Sequence, residues 1–189
     1  MKIPGSAGQS ALSVLSFRRL WPSALVMAIV VLASNVLVNY PLNDWLVWGA
    51  ITYPFAFLVT DVVNRHYGAA MARRVVLVGF TLGVLFSLFI DPRIAMASGT
   101  AFLVAQLLDV QLFDALRTRA WWIAPVLSTF VGAIVDTALF FSLAFAGSGA
   151  PWMQWAVGDL GVKWAVALMS LLPYRFIVGQ LASAADAAP

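Results

Sequence analysis

Long apolar stretches alternate with short polar breaks along almost the whole chain. Each stretch is close to the roughly 20 residues that an α-helix needs to cross a bilayer. The breaks contain the proline, glycine and asparagine clusters that are typical of turns, and they are too short to hold a soluble domain. The pattern predicts an all-α polytopic membrane protein with six transmembrane helices, near residues 20–39, 46–64, 72–91, 94–115, 122–146 and 153–178.

The composition agrees with lipid as the main solvent. Of the 189 residues, 62% are hydrophobic and 10% are charged, whereas a soluble chain carries roughly a quarter charged residues. Cysteine is absent, so the sequence holds no disulfide framework and no thiol chemistry. We divide the chain into a disordered N-terminal tail at 1–17, a six-helix transmembrane domain at 18–182 and a disordered C-terminal tail at 183–189.

The distribution of positive charge predicts how the chain is oriented. With the N-terminus inside, nine lysine and arginine side chains fall on the cytoplasmic side, and only Arg93 falls outside. Because cytoplasmic loops of membrane proteins carry an excess of these residues, we expect both termini in the cytoplasm. The chain is therefore predicted to be a multi-pass protein of the cell inner membrane that contacts the lipid bilayer and does not bind nucleic acid directly.

Ionisable residues inside the spans are the strongest functional signal, since each costs roughly 2.5–3.5 kcal/mol on insertion scales. They are Asp61, Asp109, Asp136, Asp159 and Lys163. Such groups face the bundle interior or a wet cavity, where partners or water can satisfy them. We interpret these ionisable residues, together with Asn35 and Gln106, as candidates for binding a substrate or a coupling ion.

These polar residues fall into two tiers when depth is estimated at 1.5 Å per helical residue. The outer half holds Asn35, Asp159 and Lys163, and Asp136 lies near the middle. The inner half holds Asp61, Gln106 and Asp109. Two tiers are expected of a transport pathway with a central site, although two separate structural networks give the same pattern.

Asp159 and Asp136 differ in their surroundings along the chain. Asp159 and Lys163 are four residues apart with the acid first, which favours an ion pair on one helix. That pair either only makes burial tolerable or keeps Asp159 ionised for a solute. Asp136 has no cation within a turn of its own helix, so binding or proton coupling explains it better than structure does.

Asp61 is followed one turn later by Asn64 and Arg65. The long side chain of an arginine at the membrane edge can place its guanidinium at the surface and still within reach of an acid one turn earlier. We therefore predict a contact between Arg65 and Asp61. Asn64 and Arg65 are therefore expected to act either as a structural clasp or as a gate.

The excess of buried acids over bases predicts the class of solute. Carboxylates prefer cations and groups with several N–H donors, and they disfavour anionic metabolites. The only histidine, His66, lies at a predicted membrane edge, and the sequence holds no cluster of metal ligands. We expect no catalytic residue, no metal and no cofactor.

Several segments, taken in order, resemble the queuosine precursor transporter family, within the vitamin uptake transporter family. They include Ser34-Asn35, Pro54-Phe55, Thr60-Asp61, Tyr67-Gly68, Gln106 to Phe113, Trp121 to Pro125, Ser128 to Gly132, Asp136-Thr137, Asp159 with Lys163, and Pro173-Tyr174. The resemblance covers almost all of the chain from the first predicted span to the last. A shorter connection between spans 3 and 4 departs from the family pattern.

This resemblance implies uptake of 7-deazapurine bases that are precursors of the tRNA nucleoside queuosine. The implied substrates are 7-cyano-7-deazaguanine (preQ0) and 7-aminomethyl-7-deazaguanine (preQ1). A guanine-like edge presents an N1–H and an exocyclic amine side by side, which one carboxylate can accept together. The resemblance therefore agrees with the chemistry of the buried acids.

Two other readings of the sequence remain open. The chain could be the substrate-binding subunit of an ATP-driven vitamin importer, because no residue excludes an ATPase partner. An intramembrane aspartyl enzyme is a weaker alternative, since Lys163 would keep Asp159 ionised whereas a catalytic dyad needs one acid that is easily protonated. The oligomeric state is also open, with a homo-oligomer among the possibilities.

Overall fold

A computed structural model describes residues 6–38, 40–43, 46–89 and 91–186. The helices are α1 (Ser6–Leu37), α2 (Gly49–Thr52), α3 (Phe55–Tyr67), α4 (Ala69–Ser87), α5 (Pro92–Leu116), α6 (Ile123–Phe145), α7 (Trp152–Met169) and α8 (Leu171–Asp186). Two short strands, β1 (Pro41–Asn43) and β2 (Leu46–Val47), pair as an antiparallel hairpin between α1 and α2. The architecture is otherwise α-helical, as the sequence predicts.

The ends of the chain are more helical than the predicted tails. Helix α1 begins at Ser6, inside the predicted tail at 1–17, and α8 ends at Asp186, inside the predicted tail at 183–189. Residues 1–5 and 187–189 lie outside the described residues. For those residues, disorder stays a prediction.

Five helical segments of the described chain are long and apolar enough to cross a membrane. They are Leu20–Leu37, Ala69–Ser87, Pro92–Leu116, Ile123–Phe145 and Trp152–Ser183. The remaining predicted span, at 46–64, is divided between α2 and α3, neither of which is long enough alone. Together α2 and α3 occupy residues 49–67, which is about the length that one crossing requires.

The break between α2 and α3 lies at a proline. Pro54 has no N–H to donate to the carbonyl four residues earlier, so the regular helix cannot continue through it. The chain turns instead, with hydrogen bonds from Ala56 N to Tyr53 O at 3.0 Å and from Phe57 N to Pro54 O at 3.1 Å. This turn places Tyr53 at the helix junction, in the interior of the bundle.

A second proline accounts for the break between α7 and α8. Pro173 cannot donate to the carbonyl of Met169, where α7 ends. Helix α8 starts after Ser170, and Tyr174 N donates to the carbonyl of Ser170 at 2.9 Å. As at Pro54, a buried tyrosine adjoins the proline.

Glycines set the closest contact between α1 and α4. A Cβ added at Gly79 would lie 2.4 Å from Cγ of Met27, and one added at Gly83 would lie 2.7 Å from Cγ1 of Val31. The GxxxG pattern at Gly79 and Gly83 predicts tight helix packing of this kind.

Polarity is distributed as in a membrane protein, with apolar residues outside and polar residues inside. Large side chains such as Phe89, Leu172 and Val157 are 90%, 78% and 72% exposed. All seven substrate or coupling candidates from the sequence are at most 8% exposed: Asn35, Asp61, Gln106, Asp109, Asp136, Asp159 and Lys163. The bundle therefore encloses its polar groups and presents an apolar surface.

Candidate functional site

Lys163 on α7 joins two aspartates that come from different helices. Its Nζ lies 2.7 Å from Oδ2 of Asp136 and 2.5 Å from Oδ2 of Asp159. The Asp159–Lys163 pair predicted from their spacing is present. The partner of Asp136 is also Lys163, which is 27 positions away in the sequence, so only the packing of α6 against α7 brings it there.

Two hydroxyl groups complete this arrangement. Tyr53 donates to Oδ1 of Asp136 at 2.9 Å, and Thr137 donates to Oδ2 of Asp159 at 2.9 Å. Lys163 also reaches Oγ1 of Thr137 at 2.9 Å. We call these five residues, Tyr53, Asp136, Thr137, Asp159 and Lys163, the Lys163 cluster. With two acids and one base ionised, the cluster carries one net negative charge.

Asn35 lies in the same region of the bundle as the Lys163 cluster. It donates to Oγ of Ser87 at 2.7 Å and accepts from Oγ of Ser98 at 2.8 Å. A small cavity of about 40 Å³ is lined by Asn35, Ser98 and the three charged members of the Lys163 cluster. That volume holds about three water molecules.

The small cavity adjoins a larger one of about 640 Å³, which we call the vestibule. Its lining consists of Val38, Asn43, Leu46, Val47, Ala50, Asp91, Ile94, Phe140, Phe141, Phe145, Pro151, Trp155 and Asp159. Six of these residues, Asp159 among them, also line the small cavity. The vestibule has the volume of a typical small-molecule pocket and is mostly apolar with few polar groups, as such pockets are.

The inner-tier acids form a separate group on α3, α5 and α6. Asp61 accepts a hydrogen bond from the hydroxyl of Thr129 at 3.3 Å, and Asp109 adjoins both Asp61 and Ser128. We call these four residues the Asp61–Asp109 cluster. Asp61 and Thr129 line a cavity of about 10 Å³.

Gln106 on α5 and Asn64 on α3 form hydrogen bonds between these two helices. The Thr60 hydroxyl donates to Oε1 of Gln106 at 2.6 Å, and the Asn64 amide donates to the carbonyl of Val110 at 3.0 Å. Both contacts join α3 to α5.

Arg65 closes the end of the bundle opposite the vestibule. Its guanidinium donates to the Tyr174 hydroxyl at 2.9 Å and to the carbonyls of Arg117 at 2.7 Å and Trp121 at 3.4 Å. The predicted contact with Asp61 is absent: no ion pair joins the two among the described residues. The arginine bends toward α8 and the α5–α6 connection, where carbonyls accept its N–H groups.

We call Arg65, Arg117, Trp121 and Tyr174 the Arg65 lock. Arg117 returns a hydrogen bond to the carbonyl of Arg65 at 3.3 Å, and the Arg65 guanidinium lies 5.4 Å from the ring centroid of Phe113. The lock therefore connects α3, α8 and the α5–α6 connection.

Sequence reasoning missed both tyrosines of these groups. Tyr53 and Tyr174 are the phenols that bind Asp136 and Arg65, respectively. Each is next to a proline inside a predicted span, Tyr53-Pro54 and Pro173-Tyr174. A tyrosine beside a helix-breaking proline in a membrane span is a signal that could have identified them.

An apolar exterior, long apolar helices and enclosed polar clusters with a vestibule define a polytopic α-helical membrane protein. Within that class, the chain belongs to the family described as "Putative vitamin uptake transporter", whose model matches residues 47–91 and 88–178. The family is the one that the sequence resemblance indicated.

Individual relatives agree with the family match. The chain is 34% identical to the queuosine precursor transporter of Escherichia coli (strain K12), over 83% of this chain and 85% of the relative. It is 40% identical to the "Probable queuosine precursor transporter" of Haemophilus influenzae, over 58% and 57% of the two chains. A Bacillus subtilis (strain 168) protein with the same printed name is 30% identical over 68% and 69%.

No solved structure matches this chain. The family and the named relatives are transporters and not enzymes, which confirms the prediction that this chain is not an enzyme.

Proposed function

We propose that this protein imports 7-deazaguanine precursors of queuosine, chiefly 7-cyano-7-deazaguanine and also 7-aminomethyl-7-deazaguanine. The observation that carries the proposal is a carboxylate, Asp159, at the base of an aromatic vestibule in a relative of queuosine precursor transporters. Both features suit a planar base with adjacent N–H donors.

Asp159 is the member of the Lys163 cluster that a solute in the vestibule meets first. It lines both the vestibule and the small cavity, whereas Asp136 and Lys163 line only the small cavity. Its carboxylate would accept the N1–H and the exocyclic amine of the base, as one carboxylate can accept two parallel N–H groups. Lys163 pairs with Asp159, and Asp136 with Tyr53 holds Lys163 in place.

Aromatic rings in the vestibule would bind the face of the base. Phe141, Phe145 and Trp155 line it, and the ring centroids of Phe145 and Trp155 are 5.6 Å apart. Aromatic side chains stack on planar bases whatever their substituents. The stacking would therefore supply affinity, while Asp159 would supply selectivity for the guanine-like edge.

The proposed topology has six crossings in the inner membrane, with α2 and α3 together forming the second and both termini in the cytoplasm. It rests on the excess of positive charge on the side of the N-terminus. In this orientation the vestibule opens outward and the Arg65 lock lies at the cytoplasmic end. The described conformation would then be outward-facing, which is the state that accepts an incoming solute.

The test is uptake of labelled 7-cyano-7-deazaguanine by cells that lack their own precursor transporter and precursor synthesis. We expect the wild-type protein to restore uptake and Asp159→Asn to abolish it, because an amide cannot accept both N–H groups. Asp114→Asn is the matched control: its carboxylate is 44% exposed and bonds to Nη1 of Arg117. The contacts of Arg117 in the Arg65 lock use its Nη2 and its backbone carbonyl instead. All variants are compared at equal membrane expression.

Asp114→Asn should transport like the wild type. Loss of uptake in both variants would mean that the effect is not specific to Asp159. No uptake by a correctly inserted wild-type protein would contradict the substrate assignment or require an ATPase partner. Uptake by the purified protein in proteoliposomes without ATP would eliminate the partner.

A further inference from the structure

The acids of the Asp61–Asp109 cluster are buried and form no ion pair among the described residues. Asp61 and Asp109 are 3% and 0% exposed. Oδ1 of Asp61 and both carboxylate oxygens of Asp109 have no hydrogen-bond partner. Within the described residues, no basic side chain forms an ion pair with either acid. The proposed substrate site does not use them.

The elements packed around this pair bring few compensating groups. Helix α6 contributes the hydroxyls of Ser128 and Thr129, and only Thr129 donates to Asp61, at a long 3.3 Å. The other ionisable neighbours are Arg65 on α3 and Tyr174 on α8. They bond to each other at 2.9 Å, and the other Arg65 hydrogen bonds go to backbone carbonyls.

The two carboxyl groups are within hydrogen-bonding reach of each other. Two ionised carboxylates have no hydrogen to share and repel each other strongly when buried, so such pairs hold one proton between them. One proton would also supply the missing donor for oxygens that otherwise have none. Ser128, whose Oγ is likewise without a partner, adds a second hydroxyl beside Asp109.

We propose that Asp61 and Asp109 together bind one proton and that this proton is the coupling ion of transport. The inference rests on the proposed function for the identity of the transported base, but the proton site is separate from the substrate site. The Lys163 cluster binds the base, and the Asp61–Asp109 cluster binds the proton.

The Arg65 lock links this proton site to the opening of the cytoplasmic end. Asp61 and Arg65 are four residues apart on α3 with the acid first, the favourable order for an ion pair. In the described conformation the guanidinium is held by Tyr174, Arg117 and Trp121. Opening the cytoplasmic end breaks these bonds and frees Arg65 to neutralise Asp61.

Arg65 then replaces the proton, which leaves to the cytoplasm. The proton balance is one proton bound from the outer side and one released inside for each base imported. Arg65 thus forms an ion pair with Asp61 in the inward-facing state, whereas in the outward-facing state it acts on Asp61 only from beyond ion-pair distance. That difference supplies the differential interaction that coupling requires.

The transport test uses purified protein in proteoliposomes with the membrane potential clamped at zero. For a neutral base and one coupled proton, an imposed gradient of one pH unit, acid outside, sustains about a tenfold accumulation. We expect wild-type protein to accumulate labelled 7-cyano-7-deazaguanine to that ratio. The double variant Asp61→Asn, Asp109→Asn should reach a ratio of about one, because it has no titratable pair.

The same double variant should still exchange labelled for unlabelled base across the membrane, because its substrate site is intact and its two amides can bond to each other. Asp114→Asn, on the same helix as Asp109, is the control and should accumulate like the wild type. Accumulation by the double variant, or accumulation driven by a sodium gradient and not by a pH gradient, would overturn the proposal.

A measurement without substrate separates this proposal from the transport assignment. Infrared spectra of the purified protein, recorded at neutral pH, should show the carbonyl band of a protonated carboxyl group. The band should disappear in the double variant and persist in Asp114→Asn. Absence of the band in the wild type, or its persistence in the double variant, would refute the proton site whatever solute the protein carries.

Discussion

At the scale of single residues, Lys163 is a buried cation that lies between two acids. It pairs with Asp136 and Asp159 and bonds to Thr137, while being 3% exposed. A buried cation of this kind is tolerated only because its partners compensate the loss of hydration. Removing it leaves two carboxylates enclosed without a counter-charge.

Lys163→Met should therefore lower the free energy of unfolding by more than the small loss of packing contacts alone would. Removing one partner of a buried ion pair costs about 3–5 kcal/mol of the free energy of unfolding. The measurement is unfolding of the purified protein in mixed micelles. The triple variant Lys163→Met, Asp136→Asn, Asp159→Asn should recover much of the loss, since neutral amides need no counter-charge. Equal instability of the two variants would contradict this account.

The inner pair, Asp61 and Asp109, differs from the acids that pair with Lys163. Asp61 and Asp109 lack the cation that the outer acids share, because the nearest arginine is bonded to Tyr174 and to two carbonyls. The same residue type therefore has two distinct environments in one bundle. This difference is why we assign a shared proton to the inner pair only.

At the scale of elements, two prolines divide helices and put tyrosines at the junctions. Pro54 separates α2 from α3 and Pro173 lies in the first turn of α8. The adjacent phenols contact Asp136 in one cluster and Arg65 in the other. The breaks thus have a direct consequence for the polar groups, beyond bending the helices.

Glycines on α4 allow this helix to pack closely against α1. Gly79→Ala should destabilise the α1–α4 contact by about 1–3 kcal/mol, because the new methyl would overlap the fully buried Met27. Gly161→Ala on α7 is the matched control, since its Cβ would meet no atom within 4 Å. The control should be neutral or stabilising, because alanine favours a helix over glycine. Thermal unfolding in detergent compares the two, and equal shifts would contradict the packing role of Gly79.

At the scale of the whole molecule, the two ends of the bundle differ. The vestibule lies at the end that holds the β1–β2 hairpin and the α6–α7 connection. The Arg65 lock lies at the other end, where α3 ends and α5 connects to α6. One end holds the vestibule and the other is closed by hydrogen bonds, which is the asymmetry that the outward-facing state proposed above requires.

The orientation of these ends can be measured directly, because the chain contains no cysteine. Ser148→Cys lies in the exposed α6–α7 connection and Thr118→Cys in the exposed α5–α6 connection. In intact cells, a membrane-impermeant maleimide should label the first and not the second. After permeabilisation it should label both. The reverse pattern would contradict the proposed orientation and place the vestibule in the cytoplasm.

Much of this architecture follows from local features of the sequence. The length of each apolar stretch predicts a membrane helix, because a transmembrane helix must span the hydrocarbon core of the bilayer. The spacing of Asp159 and Lys163 predicts their ion pair, because residues four apart share a helix face. Isolated acids inside apolar spans also predict buried polar clusters, since lipid cannot solvate them.

Long-range contacts were decided only by the tertiary structure. The pairing of Asp136 with Lys163 depends on how α6 packs against α7, and no local spacing encodes it. Arg65 lies four residues after Asp61, yet its guanidinium bonds to groups more than 50 positions away, because backbone carbonyls and a phenol on other elements meet it there. Local periodicity determines which side chains must leave the lipid, whereas helix packing determines which partners they find.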